Sequence, residues 1–185
     1  MKMDSISVIE RLVGYETVSR DSNLPLIDFV QSFLDDHGIA SRRVPSADGR
    51  KSNLIATVGP EEEGGVVLSG HTDVVPVDGQ AWTSDPFVVR REGDRLHGRG
   101  TCDMKGFIGV ALAMVPKMKS LRRPIHFALS YDEEIGCLGA PRLLARLGEL
   151  VEAPAAAIVG EPTEMRVVGA HRGASLFTTR ITGRP

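Results

Sequence analysis

Six residues of this chain have the chemistry of metal ligands or proton carriers, and each stands beside an apolar, strand-like or helix-like run. His71 and Asp73 follow Val66–Ser69, and Asp103 precedes Phe107–Val115. Glu133 and Glu134 follow Ile125–Tyr131, and Glu161 follows Ala155–Val159. An imidazole and several carboxylates gathered in one place hold divalent cations such as zinc, cobalt or manganese. A carboxylate left free beside them can take a proton from water. The chemistry they could perform together is hydrolysis of a polar bond.

Each residue also has an ordinary alternative. His71 and Asp73 are two apart on extended backbone, so both side chains point to one side. One can bind metal while the other orients its ring, but His-x-Asp is equally the content of a surface loop. Asp103 lies in Gly98-Arg99-Gly100-Thr101-Cys102-Asp103-Met104-Lys105-Gly106 and could be a helix cap. A phosphate loop is excluded there, because Lys105 is followed by Gly106 and Phe107 rather than Ser or Thr. A dinucleotide fingerprint is excluded because Asp103 occupies its third glycine position. Asp132, Glu133 and Glu134 repel one another unless solvent or a cation neutralises them, so a solvated loop is the alternative. Glu161 alone reads as a turn residue. His-Glu-x-x-His and Gly-x-Ser-x-Gly are both absent.

The surrounding pattern supplies elements to position these groups. Ile6, Ile9, Leu12 and Val13 predict an amphipathic helix over 4–15, capped by Asp4 or Ser5. Asn23 as cap, Pro25 in the first turn and Gly38 as stop predict a second, burying Ile27, Val30, Phe33 and Leu34. Asn53–Val58 and Val66–Ser69 read as strands, the latter buried on both faces. Phe87–Arg91 and Arg95–His97 read as a hairpin around Gly93-Asp94. Phe107–Val115 is apolar almost all round and reads as a core helix. Ile125–Tyr131 and Ala155–Val159 read as strands, 139–147 as a helix, and Arg166–Ala170 and Ser175–Ile181 as a last strand pair. Alternating strands and helices give an α/β sheet covered on both faces. Ligands of such sheets sit beyond the carboxyl ends of the strands, where the acidic candidates fall.

Composition narrows the function classes. The 22 basic and 24 acidic residues are well mixed, with a net charge of −2, so no basic stripe suggests nucleic acid. No polybasic or amphipathic segment suggests a membrane surface, no run is long enough to span a bilayer, and residues 1–16 lack the core of a signal peptide. Cys102 and Cys137 lack CxxC spacing and read as a reduced pair of a cytosolic protein.

The motifs Gly70-His71-Thr72-Asp73-Val74-Val75-Pro76, Gly98–Gly106, Ser130-Tyr131-Asp132-Glu133-Glu134 and Gly160-Glu161-Pro162-Thr163 resemble those of the M20 metallopeptidase family in order and spacing. Val77–Trp82, Asp85-Pro86-Phe87, Gly136–Pro141 and Ala170-His171-Arg172-Gly173 resemble one branch of it, which removes acyl groups from amino acids. The resemblance implies a mostly parallel, three-layer α/β/α sheet of the zinc-dependent exopeptidase type, incomplete at its C-terminus. It implies two zinc ions per complete site, with cobalt as an alternative. His71 and Glu161 would hold one ion, Asp103 would bridge, and Glu134 would hold the second. Asp73 would orient His71, and Glu133 would be the general base toward the attacking water. Arg172 is a candidate for the substrate carboxylate, with a solvated arginine as the alternative.

The resemblance further implies a small-molecule substrate and a homodimer for the full-length protein. Residues 1–180 would be the catalytic metal-binding domain, and 181–185 the start of a lid or dimerisation domain. Family members run to about twice this length, so the expectation is a fragment, with bare edge strands and one metal ligand missing. The competing expectations are a related branch acting on another acyl group or on peptides, and a catalytically inactive metal-binding or interaction module.

Overall fold

Asp4 turns the chain into its first helix by accepting a hydrogen bond from the Ser7 amide at 2.8 Å. The computed structural model describes residues 3–170, 173 and 177–183. Helix α1 (Ser5–Val13) buries Val8, Ile9, Leu12 and Val13, a stripe at helical spacing. Helix α2 (Leu24–Asp35) has Pro25 in its first turn and buries Leu26, Ile27, Val30, Phe33 and Leu34. Asn23 stands at the N-cap position as expected, its carbonyl accepting from the Ile27 amide, but its side chain makes no cap bond. Its amide donates instead to the Ser52 carbonyl and to Thr72 Oγ1, both at 2.9 Å, and its oxygen accepts from the Ser52 amide. Fully buried, Asn23 fastens the α1–α2 loop to the start of β2 and to the residue that follows β3.

The main sheet contains β1 (Ser41–Pro45), β2 (Ser52–Val58), β3 (Val66–His71), β6 (Ile125–Ser130) and β7 (Ala156–Val159), in the order β1-β2-β6-β3-β7. The α/β class stands, but the sheet is mixed rather than mostly parallel. β1–β2 and β2–β6 are antiparallel, and β6–β3 and β3–β7 are parallel. A separate two-stranded ribbon, β4 (Arg90–Glu92) and β5 (Arg95–His97), forms the expected hairpin. Its first strand begins later than Phe87, whose amide is taken by Asp85 Oδ1 at 2.8 Å.

Alternation along β2 divides the core. Leu54, Ala56 and Val58 face the larger cluster, with α1, α2 and Ile108, Ala111 and Leu112 of α3 (Lys105–Met114). Ile55 faces the smaller cluster, with Val44, Val67, Ala128 and Leu143 of α4 (Ala140–Leu150). Helix α3 was expected to be buried all round, yet Val110 and Met114 are 48% and 41% exposed. It therefore buries one side only. The expected strand over Arg166–Ala170 is not formed, and no strand occurs over 177–181. An extended run becomes a strand only with a partner for its backbone, and Val167 stands fully exposed. No helix among the described residues is long and apolar enough to cross a membrane.

Candidate metal centre

The three parallel strands β6, β3 and β7 deliver their carboxyl ends to one edge. His71 is the last residue of β3 and pairs with Ser130, the last residue of β6. The chain leaving β7 is held at that edge by a bond from the Gly160 amide to the Ser69 carbonyl at 3.1 Å. Gly160 lies face-on to Phe107 of α3, and a Cβ there would sit 2.1 Å from its ring. Only glycine lets β7 lie close enough to α3 to present Glu161 to His71. Asp103 arrives from the other side, in the turn ahead of α3.

One donor atom each from His71, Asp103 and Glu161 lies within 4.8 Å of the others. His71 is nearly fully buried, whereas the Asp103 and Glu161 side chains are 46% and 37% exposed, so the group is open on its carboxylate side. His71 Nε2 donates to Asp103 Oδ1 at 2.8 Å and lies 3.9 Å from Glu161 Oε1. Its Nδ1 donates to the backbone carbonyl of Asp73 at 2.9 Å, while the Asp73 carboxylate is 3.6 Å away. The main chain of Asp73 therefore makes the closer contact with the ring, and its carboxylate the longer one. Burial works to lower the His71 pKa, but the hydrogen bonds and charge of Asp73, with Asp103, raise it to about 9.

The Asp73 carboxylate is a hub. It accepts from Ser19 Oγ at 2.6 Å, from the Glu133 amide at 3.0 Å and from the Glu134 amide at 3.3 Å. Burial opposes its ionisation, yet His71, Ser19 and the Glu133 amide hold its carboxyl below the usual range. Glu133 and Glu134 are therefore placed by their backbones, with side chains left for other partners. Cys137 Sγ donates to Glu133 Oε1 at 3.4 Å. Glu134 is not among the three residues whose donor atoms converge. Burial, then the charge of Asp103, pushes its carboxyl up, and burial with Asp103 and Glu133 pushes Glu161 up against the attraction of His71. Glu134 and Glu161, whose ionisation burial disfavours, together with Asp103 beside one imidazole, are a donor set that fits a divalent cation.

Arg172, the expected substrate arginine, lies outside the described residues. Several residues that build the edge were not expected to take part. Ser19 and Thr17 reach it from the α1–α2 loop, Thr17 Oγ1 donating to the Thr72 carbonyl at 2.5 Å. Lys105 is wholly buried, with Nζ donating to the Tyr15 carbonyl at 2.6 Å, and burial lowers its pKa to about 7. A lysine directly ahead of an apolar helix was the signal that could have drawn attention to it. Ser19 and Thr17 carry no comparable mark.

Residues 67–173 match the model of peptidase family M20/M25/M40. Over 184 residues the chain is 37% identical to acetylornithine deacetylase of Myxococcus xanthus, covering 96% of this chain and 47% of that protein. It is 39% identical over 170 residues to acetylornithine deacetylase of Yersinia pseudotuberculosis, covering 88% of this chain and 43% of that one. The chain therefore spans about half the length of the curated relatives it matches. Among solved structures it is similar to human carnosine dipeptidase 1, at TM-score 0.72 and 20% identity, over 84% of this chain and 38% of that one. An M20 family metallo-carboxypeptidase from Sulfolobus solfataricus gives the same TM-score at 19% identity, over 85% and 37% of the two chains. At such identities the two structures establish the fold.

Proposed function

The chain belongs to peptidase family M20/M25/M40, and from that premise we propose that the protein hydrolyses the amide of N-acetyl-L-ornithine to acetate and L-ornithine. The observation that carries the hydrolytic reading is the convergence of His71, Asp103 and Glu161 within 4.8 Å, beside a pair of glutamates hung on Asp73. The choice of substrate is supported by relatives at 37% and 39% identity that are acetylornithine deacetylases.

In this reading residues 1–180 act as the catalytic metal-binding domain. His71, Asp103 and Glu161 would hold one divalent cation, zinc or cobalt. Glu134 would hold a second, with Asp103 shared. Bound there, the cations supply Lewis acidity, polarising the amide carbonyl and making the attacking water acidic. Asp73 fixes the imidazole so that Nε2 faces the ligand group. Glu133 has its amide pinned by Asp73 and, among the described residues, one carboxylate oxygen touched only by the Cys137 thiol, and it takes the proton from water as the carbonyl carbon is attacked. It returns that proton to the nitrogen of ornithine as the C–N bond breaks.

The test is ornithine release from N-acetyl-L-ornithine by the zinc-loaded chain. Turnover that disappears in Glu133→Gln while zinc still binds is the expected result. Release of succinate from N-succinyl-diaminopimelate faster than release of acetate would move the substrate to that compound. Zinc binding with no hydrolysis of either, by this chain and by a protein of the relatives' full length, would leave a metal-binding module and overturn the enzymatic reading; hydrolysis by the longer protein alone would make this chain one part of the enzyme.

A further inference from the structure

Between β1 and β2 the chain makes a turn whose last residue, Lys51, points away from solvent toward the end of β6. Its backbone is fixed from both sides, since the Lys51 amide donates to Ser46 Oγ at 3.0 Å and its carbonyl accepts from the Ser46 amide at 2.9 Å. Its Nζ donates to Asp132 Oδ1 at 2.5 Å and also to the Ser19 carbonyl. The two side chains of this ion pair are only 15% and 10% exposed. Ser19 Oγ in turn holds the Asp73 carboxylate, which holds the amides of Glu133 and Glu134, the residues after Asp132. The contacts close into a ring of Lys51, Asp132, Glu133, Asp73 and Ser19. It joins four segments far apart in the chain.

From this ring we infer that Lys51 is a positioning residue for the Glu133–Glu134 pair. The inference rests on the proposed roles of that pair as base and ligand. Asp132 has a φ of 56°, a left-handed conformation that turns the chain sharply as it leaves β6. That turn aims two consecutive amides at one carboxylate. The Lys51 ammonium neutralises the Asp132 carboxylate where that turn begins and fixes its side chain from outside the ligand group. His71, Asp103 and Glu161 take no part in the ring except through Asp73. Lys51 therefore governs where the base stands, not whether the three converging ligands bind metal.

Lys51→Met in the full 185-residue chain tests this, with Asp132→Asn as an isosteric second variant that removes only the charge. Amide hydrogen exchange at Glu133 and Glu134 should accelerate about tenfold in both, the size expected for losing one charge-assisted hydrogen bond. Zinc affinity of the converging triad and exchange in the middle of β2 and β6 should stay at wild-type values. Lys51→Arg should restore protection, because a guanidinium can reach the same two acceptors. In zinc-loaded protein that turns over, kcat should fall about tenfold with KM unchanged, the mark of a group acting in the transition state.

Unchanged exchange at Glu133 and Glu134 in either variant, or acceleration spread evenly over the sheet, would overturn the inference. Should Lys51→Met fail to fold, Asp132→Asn decides on the same two outcomes. Zinc binding without hydrolysis by both this chain and a protein of the relatives' full length would defeat the functional reading. The exchange result would still judge the ring.

Discussion

His71 is the point where two cations compete, the proton and the metal. In the metal-free chain both ring nitrogens donate, Nδ1 to the Asp73 carbonyl and Nε2 to Asp103, and the pKa stands at about 9 against an ordinary 6.5. A metal must displace the Nε2 proton, so zinc affinity should rise about tenfold per pH unit between pH 6.5 and 9 and then level off. Competition titrations against a chelator at several pH values measure this, and a flat profile would mean that His71 is not a ligand. Stability of the metal-free fold runs the other way. The folded pKa lies above the unfolded one, so the contribution of His71 is complete below pH 6.5 and is lost as pH rises through about 9. The three converging residues were legible in the sequence because each follows or precedes an apolar run. Their supports were not. Ser19 meets Asp73 across 54 residues and Lys51 meets Asp132 across 81, and a serine or a lysine has no local pattern that announces such a partner.

Elements carry the site only as well as the loops between them are held. The loop from β6 to α4 is fastened by Asn53, a fully buried residue of β2. Its oxygen accepts from the Tyr131 amide at 3.2 Å and its nitrogen donates to the Gly139 carbonyl at 3.0 Å. Asn53→Ala would strand the Tyr131 amide, while the Gly139 carbonyl keeps the Leu143 amide, and should lower stability by roughly 2 kcal/mol, from the cost of a buried unsatisfied polar group. A urea midpoint that falls with an unchanged slope measures it, and no change in midpoint would show that water replaces the side chain. Helices α1, α2 and α4 and strands β2, β3 and β6 were legible from periodicity and from cap and stop residues. β1 was missed because Ser41-Arg42-Arg43-Val44-Pro45 is a polar edge strand whose one buried residue is Val44. The segment 166–170 has the composition of a strand but no partner, and composition says nothing about partners.

At the scale of the whole molecule, β7 is the exposed margin. Among the described residues it pairs only with β3, all four of its residues are exposed, and Ile158 and Val159 show 51% and 59% of their surface. An open apolar edge recruits other edges. The 185-residue chain should therefore self-associate with increasing concentration in sedimentation velocity, and Ile158→Lys should shift it toward monomer. A wild-type chain that stays monomeric at every concentration would show that the edge is not adhesive. The same strand has a second bearing, on the order of synthesis. Chains fold from the N-terminus as they leave the ribosome, and His71 and Asp103 emerge well before Glu161. Glu161 arrives only behind β7, so a nascent chain cannot bring the three residues together until that strand has docked on β3. On the proposed reading, capture of an ion by all three would be a checkpoint, a chemical report that β7 is in place.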